Sequence, residues 1–202
     1  MGLRELKKER TREAVQRAAM RLFDTQGYAA TTVEQIAAAA EISTATFYRY
    51  YSDKEDIVFG DDDRALVEEV IGARPPDETV AASLGAVFQR LAAEFEADKD
   101  AVIVRMRLMH GVPGLQARRS ATRQKTADLL ARLLAPRART DPDNRELRLA
   151  IAVALAAEAE TLFYWARTGG ASQLEGLLAD ALARIEPALR VGPDRTEPQP
   201  AR

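Results

Sequence analysis

Residues 31–55 read Thr31-Thr32-Val33-Glu34-Gln35-Ile36-Ala37-Ala38-Ala39-Ala40-Glu41-Ile42-Ser43-Thr44-Ala45-Thr46-Phe47-Tyr48-Arg49-Tyr50-Tyr51-Ser52-Asp53-Lys54-Glu55. Thr32 followed by Gln35 has the spacing of a capping box, which satisfies free N–H groups at a helix start from both directions. Val33, Ile36, Ala37 and Ala40 then recur with helical spacing and give one apolar face. Ser43 is placed to cap a second helix, with Thr44, Thr46, Tyr48 and Arg49 on one side and Phe47 and Tyr50 on the other. Ser52 with Glu55 has the spacing of another capping box and opens a third helix. Two short helices joined by a tight turn, the second bearing hydroxyls, phenols and an arginine, predict a helix-turn-helix that reads DNA.

Working outward, a helix is expected from about Lys8 to Thr25, with Val15, Ala18, Ala19, Leu22 and Phe23 inward and Gly27 as its stop. Downstream, one helix is expected from Asp53 or Lys54 through Ile57 and Val67 to near Gly72, ending at the breaker Arg74-Pro75-Pro76-Asp77. Further helices are expected at roughly 78–97, 99–110, 113–135, 143–168 and 172–190, separated by Asp98, by Gly111-Val112-Pro113, by 136–142 and by Gly169-Gly170. No strand-like alternation and no internal repeat is visible, so the expected fold class is all-α. The tail from Gly192 holds three prolines and no core residues and is expected to be disordered.

Composition narrows the function. The 202 residues are 47% hydrophobic and 30% charged, as in an ordinary globular protein. No cysteine and a single histidine exclude disulfides, thiol nucleophiles and cysteine-based zinc sites. Neither a Gly-rich phosphate loop nor a Glu-x-x-His metal motif is present. No enzyme, cofactor or metal is therefore expected. The longest apolar run, Ala150–Ala157, ends at Glu158 and is far short of the ~18 residues that would span a bilayer. No membrane association is expected, and residence in the cytoplasm is.

Net charge is −2, yet Met1–Arg21 carries +4 and the remainder −6. A basic arm ahead of a helix-turn-helix fits a protein that meets phosphate at one end only. A solvated first helix, with Glu5, Glu9 and Glu13 pairing along it, explains the same residues. Beside the motif, DNA is favoured.

Residues 12–58 resemble the DNA-binding domain of the TetR family. The likeness rests on Arg12, Val15, Ala18-Ala19, Leu22-Phe23, Gly27-Tyr28, Thr31-Thr32-Val33, Ile36-Ala37, Ala40, Ile42-Ser43, Thr46, Tyr48, Tyr50-Tyr51 and Lys54-Glu55. Two departures matter. Glu41 stands where the family usually has glycine, and a non-glycine residue at positive φ costs about 1–2 kcal/mol. Thr44-Ala45 replaces a common Lys-Gly, which removes a cation and a close-approach glycine at the DNA.

The expected organisation is a DNA-binding domain at 1–55 (recognition helix about 44–50), an effector-binding and dimerisation domain at 56–190, and the tail at 191–202. Thr31 and Thr32, at a helix start, suit a phosphate. Lys8 belongs to the basic arm, and the resemblance implies that Tyr48 and Lys54 clasp the DNA backbone. Ser43, Thr44, Ala45, Thr46 and Arg49 are the candidates to face bases, Arg by bidentate pairing with guanine and Thr or Ala methyls against thymine. For Arg49 an ion pair with Asp53 is an alternative.

The resemblance implies that the C-terminal half forms the dimer interface and an effector pocket. The residues support a dimer independently. Leu147, Ala154, Thr161 and Trp165 of helix 143–168 and Leu174, Leu178 and Leu182 of helix 172–190 are the interface candidates, with Leu149, Val153, Ala156, Glu160 and Tyr164 on a neighbouring line. Completion of an intramolecular core is the competing explanation. Pocket candidates are Phe88, Leu91, Phe95, Val102, Met106, Met109, His110, Leu130 and Phe163; any of them also serves as core, and His110 as a helix end. The partners implied are double-stranded DNA with a palindromic site, a second copy of the chain, and an apolar or amphipathic small molecule. On the resemblance, a repressor released by ligand is expected ahead of an activator. A helical-bundle interaction protein that binds no DNA is the alternative; it leaves the capped helices and their polar face unexplained.

Overall fold

The computed structural model describes residues 3–59 and 64–191. The described elements are ten α-helices: α1 (Leu3–Gln26), α2 (Val33–Ala39), α3 (Thr44–Tyr50), α4 (Lys54–Phe59), α5 (Arg64–Gly72), α6 (Val80–Ala97), α7 (Lys99–Gly111), α8 (Pro113–Ala138), α9 (Arg145–Arg167) and α10 (Leu174–Ile185). A 3-10 turn follows at Glu186–Leu189, and no strand occurs among the described residues. The all-α expectation holds. The expected tail from 192 on, and the middle of the helix expected through Ile57 and Val67, lie outside the described residues.

Packing divides the chain into two compact units. One takes the chain up to Asp62 together with Asp98–Arg119; the other takes Asp63–Ala97 and the chain from Ser120. The helix-turn-helix thus shares its unit with α7 and the beginning of α8, well past residue 55. The 1–55 and 56–190 domains describe expected roles; compactness divides the chain elsewhere.

In the first unit α1 ends at Gly27, whose φ of +86° turns the chain while its N–H bonds Phe23 O at 3.1 Å. Thr32 and Gln35 form the expected capping box, and Ser43 caps α3 by accepting from Thr46 N–H. The third box takes a different form. Asp53, not Ser52, caps α4: its Oδ1 accepts Asp56 N–H at 2.8 Å, and Asp56 Oδ2 reaches back to Ser52 N–H at 2.6 Å. A charged acceptor bonds more strongly than a hydroxyl, so the aspartate pair displaces the Ser-Glu pair. Val15, Ala19, Phe23, Ile36, Phe47, Ile57 and Met106 form the core, with α7 against α1 and α4.

The second unit is built on α6, α9 and α10, with Leu84, Leu130, Leu147, Ile151, Trp165 and Leu174 sealed inside. Trp165 donates its indole N–H to Ser172 O at 2.9 Å and so fixes the turn into α10. The absence of a Cβ at Gly85 lets α10 close on α6, since a methyl there would meet Leu182 Cδ2 at 3.0 Å. Helix α8 runs past Pro136, the expected breaker, to Ala138. In a last turn proline still removes a helical hydrogen bond. Here the end is held by Arg139 in the left-handed region, φ +53°, with Thr140 N–H bonding Ala135 O at 3.1 Å.

Helix α9 is long and apolar enough to cross a membrane by length and composition, and 39% of its apolar window is buried in the protomer. Glu158 and Glu160 interrupt it, and its inner face packs in the second unit's core.

Candidate nucleic-acid interface

The outward face of α3 is set by what its inward face buries. Phe47 is fully buried, with Tyr48 edge-on at 5.4 Å and Tyr51 at 5.6 Å between ring centres. Thr44, Ala45, Tyr48 and Arg49 consequently face solvent, and Tyr48 is 56% exposed despite its large apolar ring. Arg49 lies 5.1 Å over the Tyr50 ring; the ion pair weighed with Asp53 gives way to this stacking while Asp53 binds Arg118. Ser43 Oγ accepts Thr46 N–H at 3.1 Å and donates to Thr46 Oγ1 at 2.9 Å, so Ser43 is a cap before it is a base contact. Thr46 is half-buried beside it.

Two phosphate candidates are corrected. Thr31 is 1% exposed, and its hydroxyl donates to Gly27 O at 2.8 Å while accepting from Gln26 at 3.1 Å. It closes the α1–α2 turn and cannot reach a phosphate. Lys54 is turned inward as well: Nζ donates to Tyr28 O at 2.8 Å and Thr31 O at 3.0 Å, 4.3 Å from the Tyr28 ring centre. Its charge neutralises carbonyl oxygens of the same turn. Thr32 is exposed, but its oxygen accepts Gln35 N–H, and with Glu34's own backbone N–H its hydroxyl holds the Glu34 carboxyl below the usual range. On the arm, Lys8 is exposed, and Arg17 pairs with Glu13 at 3.5 Å along the same helix.

A group missed in the sequence sits behind this face. Asp53, Glu55 and Asp56 on the first turn of α4 surround the guanidinium of Arg118, at the start of α8. Beside them, the buried Tyr28 hydroxyl has no hydrogen-bond partner among the described residues. Burial first, then the Glu55 and Asp53 charges, push its pKa up to about 12, so the phenol stays neutral. Three acids in four residues signal that a cation is needed; nothing local indicates that it lies more than sixty positions away.

The pocket candidates fall in both units. Val102, Met106 and Met109 are buried in the first unit, where His110 is exposed in the last turn of α7. Phe88, Leu91 and Leu130 are buried in the second, with Phe95 and Phe163 half-buried there. A cavity of about 520 Å³ opens between α6 and α10 over Phe88, Leu178 and Leu182, so Phe88 is the member of the expected set that lines it. Among the interface candidates, Leu147, Ala154, Trp165, Leu174 and Leu178 are at most 2% exposed within one protomer. They are interior residues, a correction to the sequence reading. Thr161 donates to Ala157 O, and Leu182 lies against Gly85. The outward line of α9 is the neighbouring one, with Leu149 58% and Tyr164 49% exposed.

Residues 16–59, from α1 through α4, match the model of bacterial regulatory proteins of the tetR family, and residues 74–190 match that of the MftR C-terminal domain. The regulator TcmR of Streptomyces glaucescens is 34% identical over 152 residues, covering 71% of this chain and 67% of its own. The chain belongs to the TetR family. The regulator HbdR of Aromatoleum is 47% identical over 51 residues, 25% of this chain and 22% of that one. Among solved structures, FadR of Thermus thermophilus, a TetR-family repressor in complex with lauroyl-CoA, is 26% identical with a TM-score of 0.59, over 95% of this chain and 100% of that one. FadR of Bacillus halodurans shares the fold at 19% identity and a TM-score of 0.68, over 88% and 99%. This TetR-family chain is a DNA-binding transcriptional regulator and not an enzyme.

Proposed function

We propose that the protein is a homodimeric repressor of a palindromic operator, acting in the cytoplasm and released by a small amphipathic effector. The outward line of α9 carries the dimer reading. Leu149, Val153, Ala156, Glu160 and Tyr164 follow one another at four- and three-residue steps on the side opposite Leu147, Ala154 and Trp165. Two large apolar side chains, Leu149 58% and Tyr164 49% exposed, on one stripe call for a partner surface. A second copy meets that need and also supplies the second recognition helix, about 34 Å from the first, that a palindrome demands. Sedimentation velocity tests it: the parent should run as a dimer at micromolar concentration, and Tyr164→Arg with Leu149→Arg as a folded monomer. A monomeric parent overturns the reading.

Base contacts belong to Thr44, Ala45, Thr46 and Arg49, with Tyr48 and Lys8 on the DNA backbone. Outward placement of Thr44, Ala45, Tyr48 and Arg49 supports this, and the inward anchoring of Thr31 and Lys54 sets the limit of the contact surface.

A fatty acyl-CoA is the first effector to test, because the Thermus FadR was crystallised with lauroyl-CoA. The apolar cavity over Phe88, Leu178 and Leu182 suits an acyl chain. A ligand that prefers the DNA-incompetent form 100-fold couples to DNA by about 2.7 kcal/mol, and DNA must weaken that ligand equally. Calorimetric titration of lauroyl-CoA with and without operator reads the cycle from both sides. Equal affinities exclude release by that compound.

A further inference from the structure

Arg118 lies far outside the residues matched by the DNA-binding model, yet it packs in the same compact unit as the helix-turn-helix. Its Nη1 is 3.4 Å from Asp53 Oδ1 and 3.9 Å from Glu55 Oε2, its Nη2 bonds Asp56 Oδ1, and its Cζ stands 5.3 Å over the Phe59 ring. Each acid has a second task. Asp53 Oδ1 accepts Asp56 N–H as the cap of α4, and Asp56 Oδ2 holds Ser52 N–H, two residues past the end of α3. Glu55 Oε1 lies 3.8 Å from where a Cβ on Gly114 would be, at the start of α8, where the helix dipole favours a negative charge. From the same turn of α4, Lys54 crosses to Tyr28 O and Thr31 O, just ahead of the α2 cap. The first turn of α4 is therefore the fixed point for both ends of the DNA-reading motif, the entry to α2 and the exit from α3.

We propose that Arg118 is a positioning residue for DNA reading: it neutralises Asp53, Glu55 and Asp56 and thereby holds α4, and through it the recognition helix, in binding geometry. Without its charge three carboxylates face one another across a single turn, and their repulsion loosens the hydrogen bonds that orient Ser52 and the C-terminal end of α3. The Arg118 side chain contacts α4, not the outward face of α3. Its influence on DNA is thus indirect, and its loss should not change which bases are read.

The test uses the full-length chain and an operator selected with the parental protein. Arg118→Met keeps the stack on Phe59 and removes the charge; Arg118→Lys keeps a point charge without the planar fork. Arg118→Met should weaken operator binding at least about tenfold, as expected when a charge-assisted contact is lost. The selected sequence and the slope of log K against log[salt] should stay those of the parent. Amide exchange should quicken at 51–56 in particular, and Arg118→Lys should fall between parent and Arg118→Met. Asp56→Asn added to Arg118→Met should cost less than it does alone, because the pair is already broken. Binding within twofold of the parent in folded Arg118→Met overturns the proposal. So does a slope smaller by about one unit, which marks a direct phosphate contact. Should Arg118→Met fail to fold, Arg118→Lys decides alone: weaker binding at unchanged slope supports the positioning role, and parental affinity overturns it.

Discussion

The helix-turn-helix and the α9–α10 pair are both helical and both amphipathic, yet they fold by different logic. In the former, three short helices are specified by side chains next to the backbone groups they cap: Thr32 and Gln35, Ser43, then Asp53 and Asp56. Each device spans three or four residues and leaves one face free for DNA. In the latter, Asn144 accepts Glu146 and Leu147 N–H at the start of α9, and Glu96, from α6, accepts Leu174 N–H at the start of α10; orientation comes from burial of a broad apolar surface. Local chemistry can be read from neighbours in the chain. Burial cannot, because a helix apolar on two faces does not say which one meets its own protomer.

The largest expected effect separates those two faces. Leu178→Arg places an unpaired cation at a site 2% exposed and should cost about 4 kcal/mol or more, enough to unfold the second unit. Tyr164→Arg, on the exposed line, should leave helicity and melting of the protomer nearly intact while abolishing self-association. Circular dichroism and sedimentation on the two variants read this directly. A folded, dimeric Leu178→Arg protein would mean that inner and outer faces have been interchanged.

Within the DNA-reading region a smaller difference is expected between adjacent positions. Arg49→Ala and Thr44→Ala should each change the selected sequence, at about 1–3 kcal/mol of discrimination for a lost base contact. Tyr48→Phe should weaken every site about equally and leave the preference unchanged. Lys54→Ala should act through the fold, loosening the Tyr28–Thr31 turn that it ties. Binding-site selection on each variant gives the answer, and an unchanged motif in Arg49→Ala and Thr44→Ala together would remove both from the base-reading set.

These cases show where the sequence was legible. Helix order, the α2 and α3 caps and the polar face of α3 follow from patterns shorter than one helix. The misplacements share one cause, a partner outside the element that carries the residue. Thr31 looks like a free hydroxyl until Gln26 and Gly27 close over it, and Lys54 looks like a phosphate ligand until the Tyr28 and Thr31 carbonyls appear beneath it. Arg118 is one of many arginines on a polar stretch until α4 brings three carboxylates to it. On α9 the periodicity showed two apolar lines, and Leu147, Ala154 and Trp165, from the line taken as the interface, proved to be interior.

The smallest effect tests a device that the helix-turn-helix shares with the end of α8 in the second unit. Helix α2 and helix α8 both end with a non-glycine residue in the left-handed region, Glu41 at φ +55° and Arg139 at +53°. The hydrogen bonds match as well: Ile42 N–H to Ala37 O at 3.0 Å and Thr140 N–H to Ala135 O at 3.1 Å close the same C-terminal motif. Strain of about 1–2 kcal/mol is relieved by glycine, less the greater freedom glycine has when unfolded, so a net gain of roughly 0.5–1 kcal/mol is expected at each site. In a chain of this size that is a rise of about 1–4 °C in melting temperature. Glu41→Gly should have a second consequence that Arg139→Gly lacks. It removes a negative charge from the turn beside the DNA-reading helix, so operator affinity should rise most at low salt and converge on the parental value as salt screens the charge. A stability gain at 139 without one at 41 would show that the Glu41 side chain contributes interactions that offset its backbone strain. Equal gains, with tighter DNA binding only in Glu41→Gly, would show that the two turns are mechanically alike and differ only in what they face.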